Sequence, residues 1–573
     1  VEADWSWIMS DPFFDHLEQS RTAWVSQYWA DDIVVRRNAG WHFCFALLPI
    51  GPAAKNRIYS FGSVTRMLAK PSHVLSQNEF QYHYYPSTEQ FYGGNGQTQH
   101  PVQFVSASNG ETQSAAAVIA CDANGMLWVY GGIPSYTREA YNQLGLGPDA
   151  DEFLGFDNDF RTVKTARSTL TPVYGEQGDL LAVKFKAVGV AGDYGDLGTP
   201  ASACLSALDS DGAIWFSGTA CPRNFATTSQ FPDDTDGVLT YFRKAEFHSY
   251  IDATGEVELE EPMRFSLHAV GAMQIMAIST NGKLYLWGSF WLGKEITSAT
   301  PHEVSGFVDT VAVTNQGSGY SQFSTTATAS DPDYANGTKA TFSVSVSSGK
   351  VVGITINNPG YGYASAPTVT ISGVGSGATA SVTLFDRTWL HASCSRHGRS
   401  FSAIDSDGKM YSWGPRSPAV YEDAVPVIAS PAAPMAAAYQ SDGGYVQVER
   451  SQSGGIALTS GGTIDTWGSP EETPTLQNQE RLTALVSTST FIKVATASNA
   501  IAALANDGKV FTAGSEAQCG RGFSTSERFA WGAVSGSAVW SSLWGGFMGF
   551  ILNRDESFDA DGNRIDPIPP GLT

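Results

Sequence analysis

Positively charged side chains are in short supply in this chain. Its 34 Lys and Arg face 56 Asp and Glu, for a net charge of −22. A nucleic-acid partner needs clustered Lys and Arg to displace counterions, so the balance argues against one. No apolar run approaches the ~20 residues that cross a bilayer, and none led by Lys or Arg opens the sequence. Neither a membrane span nor a signal peptide is therefore expected. Six cysteines (Cys44, Cys121, Cys204, Cys221, Cys394, Cys519) lack the paired spacing of a zinc site. Reduced, buried thiols are expected.

Catalytic patterns are missing too. The ten histidines form no His-x-x-x-His pair and no His-Glu-x-x-His, and there is no Gly-x-Ser-x-Gly elbow. Gly288 to Glu295 nearly spells a phosphate loop, but Glu295 stands where a magnesium-holding Ser or Thr belongs. Gly373 to Ala378 fits a relaxed dinucleotide pattern yet leads into a strand-like run. Asp559, Asp561 and Asp566 form a weak calcium-type loop without the closing Glu, and a plain turn is the better reading. His397 suits a structural hydrogen bond. The expectation is a non-enzyme with no cofactor.

What the chain does have is repetition. A turn, a short alternating run and a stop glycine recur seven times, ending at Gly62, Gly131, Gly218, Gly288, Gly414, Gly468 and Gly514. Gly408-Lys-Met-Tyr-Ser-Trp-Gly414 is one example. Upstream lies a run of small residues and an Asp-Gly or Asn-Gly turn, the strongest short hairpin signal. Small residues suit strands crowded at an axis, and Trp, Tyr and Phe suit wedges farther out. Units too small to bury their own apolar faces must pack side by side.

These units resemble repeats of the regulator of chromosome condensation family, most closely over Ala392–Gly414. Asn142-Gln-Leu-Gly-Leu-Gly147 and Gln518-Cys-Gly-Arg-Gly522 are altered forms of that family's next element. The resemblance spans roughly residues 41–305 and 386–553. It implies an all-β fold, a seven-bladed β-propeller with an inserted small β-module. Phe547–Phe558 resembles half of an eighth unit. It is expected to close the ring against an early strand rather than to begin an eighth blade.

Successive stop glycines lie 69, 87, 70, 126, 54 and 46 residues apart. Removing the 79 residues from Gly306 to Leu384 shortens the long interval to 47, an ordinary repeat. That segment has its own internal repeat, Val311–Tyr320 matching Ile354–Tyr363, and only five charged residues. It resembles modules of phage virion proteins. The expected organisation is an N-terminal aromatic arm (1–40), a first propeller part (41–305), the inserted β-module (306–385), a second propeller part (386–553) and a C-terminal tail (554–573). Deleting the insertion is expected to leave the ring's melting nearly unchanged.

Two functions compete. The first is a non-enzymatic phage virion or adhesion protein, assembled in the host cytoplasm, with other virion proteins, a host surface or a second copy as partners. Its expected contact residues are Trp5, Trp7, Trp24 and Trp29 in the arm and Tyr320, Tyr361 and Tyr363 in the module, because aromatics give large contact area. The second, implied by the family resemblance, is a regulator such as a guanine-nucleotide exchange factor for a small GTPase, or a secreted protein-binding propeller.

Overall fold

The computed structural model describes residues 44–48, 57–61, 81–84, 104–132, 167–175, 181–192, 203–219, 238–395, 400–414, 427–428, 444–468, 490–514, 531–533, 542–545, 550–554, 557–558 and 564–565, apart from short breaks within some ranges. Every regular element among them is a β-strand. The glycines of the repeat explain the local folding. At the hairpin turns Gly125, Gly212, Gly282, Gly408, Gly462 and Gly508 have φ between 76° and 90°, and the stops Gly218, Gly288, Gly414 and Gly514 have φ between 102° and 121°. L-residues rarely adopt either conformation.

The hairpins assemble into antiparallel blades of up to four strands, and Gln81–Tyr84 pairs in parallel with Cys44–Leu48 and Arg167–Pro172 to join the last blade to the first. Blade 1 runs Phe104–Thr112, Ala115–Asp122, Leu127–Gly132 and Arg167–Pro172. Blade 2 starts at Phe185–Gly192, blade 3 at Phe265–Val270, blade 4 at Trp389–Cys394, blade 5 at Tyr445–Arg450 and blade 6 at Phe491–Thr496. Blade 7 is composite. Ser542–Gly545 and Phe550–Arg554 pair onward with Arg57–Phe61 and Cys44–Leu48, in the register Arg57↔Arg554 to Phe61↔Phe550. Each blade's first strand packs on that of the next, and Ser542–Gly545 returns to Phe104–Thr112. Seven blades thus close a ring, which makes the fold a seven-bladed β-propeller. The C-terminal half-unit completes blade 7, and ring closure leaves only short outer edges.

One backbone hydrogen bond recurs from blade to blade. The N–H of the aromatic residue opening an inner strand donates to the carbonyl of the previous blade's turn glycine: Phe185 to Gly125 (2.9 Å), Phe265 to Gly212 (2.7 Å), and Trp389, Tyr445 and Phe491 to Gly282, Gly408 and Gly462 (2.8 Å each). A Cβ on Gly212 would stand 2.8 Å from the Phe265 carbonyl oxygen. The turn therefore needs glycine for close approach as well as for φ. Immediately after each opening aromatic a bulge interrupts the ladder, in all six of blades 1–6.

Buried carboxylates tie the turns from inside. Asp122 accepts from the Asn124 and Met126 N–H groups and from Trp128 Nε1 (3.0 Å). Asp209 does the same for Ala213 and Trp215 Nε1 (2.8 Å), and Asp405 for Asp407, Lys409 and the Tyr411 hydroxyl. Trp128, Trp287 and Trp413 are fully buried wedges. Trp467 pairs with Gly455 as Trp287 pairs with Ile275, so it occupies the equivalent strand position. Cys121 and Cys394 are buried and belong to no disulfide.

In the long interval, Val308–Ser318 and Ser376–Leu384 form an antiparallel ribbon. Lys350–Asn358, Thr341–Ser347, Thr326–Ala329 and Val369–Ser372 form a four-stranded sheet in that order. The internal repeat has a structural meaning. Gly317 and Gly319, and likewise Gly360 and Gly362, take positive φ, and each pair turns the following tyrosine inward. Tyr320 then accepts from the Ala378 N–H (3.1 Å), and Tyr363 accepts from the Ala340 N–H (2.9 Å).

Candidate functional site

The seven inner strands surround an axial cavity of about 170 Å³, to which every blade contributes. Its wall holds His268, His391, Gln447, Glu449, Arg450 and Lys493. Side chains stitch the blades together here. Ser106 and Ser108 accept from the Val188 and Val190 N–H groups (3.1 and 3.3 Å), and Ser393 accepts from the Arg450 N–H (3.0 Å). The Gln447 amide both donates to the Val494 carbonyl (2.9 Å) and accepts from its N–H (3.1 Å).

The titratable groups follow from these bonds. The Ser206 hydroxyl has one hydrogen, which it donates to the Gly189 carbonyl (3.1 Å). It must then accept from His268 Nε2 (3.0 Å), so Nδ1 is the bare nitrogen, and it is buried with no partner. Burial, helped by the nearby Lys186, pushes the His268 pKa down to about 4. His391 Nδ1 accepts from the Val448 N–H at 3.5 Å, and burial also lowers its pKa, against the pull of Glu449. Lys493 donates to Ser542 Oγ (3.1 Å), and its ammonium lies 4.6 Å from the Trp544 ring centroid. Burial brings its pKa down to about 8, with Glu449 opposing. Glu449 accepts from Ser393 Oγ and Gln447 Nε2, both at 3.2 Å.

A collar lies beside the cavity. The residue after each opening aromatic, at the bulge, is exposed in all six of blades 1–6: Val105, Lys186, Ser266, Leu390, Val446 and Ile492. Four of these are large aliphatics, 44 %, 53 %, 44 % and 49 % exposed at Val105, Leu390, Val446 and Ile492. The bulge turns them out, whereas the opening aromatics Phe185, Phe265, Trp389 and Phe491 are buried. This position was missed in the sequence, although the aromatic-x pairs that open each inner strand are visible there.

The residues singled out from the sequence fall elsewhere. Trp5, Trp7, Trp24 and Trp29 lie outside the described residues, as do Asp559, Asp561, Asp566 and His397. Tyr320, Tyr361 and Tyr363 are 6 %, 0 % and 2 % exposed, which corrects their reading as contact surface. Tyr361 is buried in the core shared by blades 3 and 4, with its hydroxyl 3.1 Å from His302 Nδ1. The near phosphate loop is a hairpin: Gly288 is a positive-φ stop and Glu295 opens the next strand. Among the described residues no cluster of three or more His, Cys, Asp or Glu is arranged to hold a metal. No helix among them is long and apolar enough to cross a membrane.

A closed ring with a polar axis and an apolar collar defines a seven-bladed β-propeller. Solved structures similar to it include two from the family the repeats resemble. Prp20p from Saccharomyces cerevisiae, described as binding Gsp1p and histones, shares 12% identity at a TM-score of 0.48, covering 89% of this chain and 93% of its own. Yeast RCC1 (Prp20) with Kap60 bound gives 12% identity and a TM-score of 0.46, covering 92% of this chain and 96% of that one. Human WBSCR16 gives 13% and 0.47, covering 88% and 99%. The propeller assignment rests on strand pairing and ring closure. No protein-family model and no curated protein matches the chain.

Proposed function

We propose that this chain is a non-enzymatic, protein-binding propeller that docks its partner on the collar face. The observation that carries this is the recurrence of exposed Val105, Leu390, Val446 and Ile492 at one equivalent position around the axis. Scattered exposed aliphatics need no explanation, but an exposed aliphatic at the same position in four of six blades does. Apolar area of this kind forms the centre of protein interfaces.

Of the finer readings, the family-style regulator is the better supported. The phage virion reading used Tyr320, Tyr361 and Tyr363 as contacts, and all three are interior posts. The regulator reading needs only a broad face, such as the collar. Fold alone assigns neither. The test is a pair of assays on wild type and a Val446→Asp/Ile492→Asp variant. Wild type is expected to accelerate nucleotide release from a small GTPase of its own cell, and the variant to lose that effect. Stoichiometric co-purification with a virus particle, unchanged in the variant, would replace this reading with the virion one.

A further inference from the structure

We propose that the axial cavity is a binding site for a carboxylate group, with Lys493 as its primary anchor. Over the whole chain acids outnumber bases, 56 to 34. Among the described residues the wall reverses this, with Lys493 and Arg450 against Glu449. Lys186 lies close enough to His268 to depress its pKa. An acidic protein that concentrates bases at its axis makes a local positive well, and low-dielectric walls focus it.

The bonding of each group points the same way. Lys493 has a hydroxyl and an aromatic face as partners, and no carboxylate within 4.0 Å among the described residues. A desolvated ammonium without a counter-ion is costly and gains most from an anion. Glu449 acts on Lys493 only through space, its charge raising the lysine's pKa, while its two oxygens accept from Ser393 across the seam with blade 4 and from Gln447 on its own strand. His268 Nδ1 is buried without a donor. It becomes a donor once protonated, which an arriving anion favours. Trp544 stiffens Lys493 from below through its ring.

Size sets the ligand class. A cavity of about 170 Å³ is far above the ~10–15 Å³ that a single water needs. That suits a short-chain acid, or one Asp or Glu side chain inserted by a protein docked on the collar. The shared chemistry is a carboxylate in contact with Lys493. The inference does not depend on the collar reading, since a free acid needs no partner.

The experiment is calorimetric titration of the purified full chain with succinate, acetate and N-acetyl-aspartyl methylamide, in a buffer free of other carboxylates. Wild type is expected to bind one equivalent, and Lys493→Met at least tenfold more weakly. Lys350→Met, a module lysine, is the control and is expected to bind as wild type. Affinity is expected to fall as pH rises through about 8, as Lys493 loses its proton. The other charged or titratable groups facing it are His268, His391, Glu449, Arg450 and Lys186. Tighter binding of succinate than of the capped aspartate assigns the site to free acids. The reverse order assigns it to a partner's side chain, and either supports the proposal. No saturable binding of any probe, or equal binding by Lys493→Met, overturns it.

Discussion

Lys493 and Trp544 meet across the seam between blades 6 and 7, with the ammonium 4.6 Å from the indole centroid. This pair joins the last blade built wholly from consecutive strands to the one that closes the ring. It also sets a chemical property that is open to measurement. Lys493 already ionises near 8 because burial disfavours its charge. The aromatic face favours the charged form. Trp544→Leu is therefore expected to lower the pKa further. Competitive amine labelling followed by mass spectrometry reads the midpoint of Lys493 against exposed lysines. A wild-type midpoint near 10.5, or a rise in the variant, would contradict this geometry.

The wedge tryptophans carry the packing. Trp287→Ala and Trp413→Ala each empty a fully buried site and are expected to cost roughly 3–5 kcal/mol. Phe323, 99 % exposed in the module, is the contrast, and Phe323→Ala is expected to stay within about 0.5 kcal/mol. Chemical denaturation of the three variants reads both. Near-equal values for Trp413 and Phe323 would mean the core has been misplaced.

The turn carboxylates are structural. Asp209 accepts from the Ala213 N–H at 2.7 Å and from Trp215 Nε1 at 2.8 Å. Asp209→Ala leaves a partly buried indole N–H without its acceptor and frees the turn, at an expected cost of about 1–3 kcal/mol. A double-mutant cycle with Trp215→Phe is expected to show coupling of at least ~1 kcal/mol, since the two share a bond. Additive effects would remove Asp209 as the tie.

His302 makes stability depend on pH. It is 2 % exposed and faces the Tyr361 hydroxyl, and burial lowers its pKa from 6.5 to about 4. Between those values the unfolded chain takes up a proton that the folded one refuses. Its contribution is thus intact above about 6.5 and falls as pH drops toward 4, by about 3 kcal/mol in all. Unfolding free energies measured from pH 7.5 to 4.5 are expected to show a shallower decline in His302→Gln. Parallel profiles would place the acid sensitivity elsewhere.

The same contact revises the expected effect of deleting Gly306–Leu384. Tyr361 shares a core with Leu284, Leu286 and Phe290 of blade 3 and with Trp389 and Tyr411 of blade 4. Deletion exposes that surface and leaves His302 Nδ1 without its partner, so melting is expected to drop by several degrees rather than stay level. An unchanged midpoint would restore the detachable insertion.

Much of the ring was legible because its constraints are local. Glycines at the turns and stops need positive φ, and only glycine meets that need cheaply. Their spacing therefore counted the blades, and the half-unit after Phe547 announced the closure seen between Arg57 and Arg554. The module's repeated Gly-x-Gly-Tyr was equally visible, but its sense was not. Two left-handed glycines turn Tyr320 and Tyr363 inward, and composition cannot report direction. The axial cavity stayed hidden for a different reason. His268, His391, Glu449 and Lys493 come from four blades, far apart in sequence, and the ring alone brings them together. The collar was hidden because a bulge reverses the side-chain alternation at one residue.

The most direct test of the collar as docking face is site-specific photocrosslinking in the chain's own cells. A benzophenone residue is placed at Val446, at Ile492 and, separately, at Phe323 in the module. Val446 and Ile492 are expected to trap the same partner protein, with Phe323 trapping none. A partner captured from Phe323 alone, with both collar positions silent, would contradict the collar as the binding face and move recognition to the module.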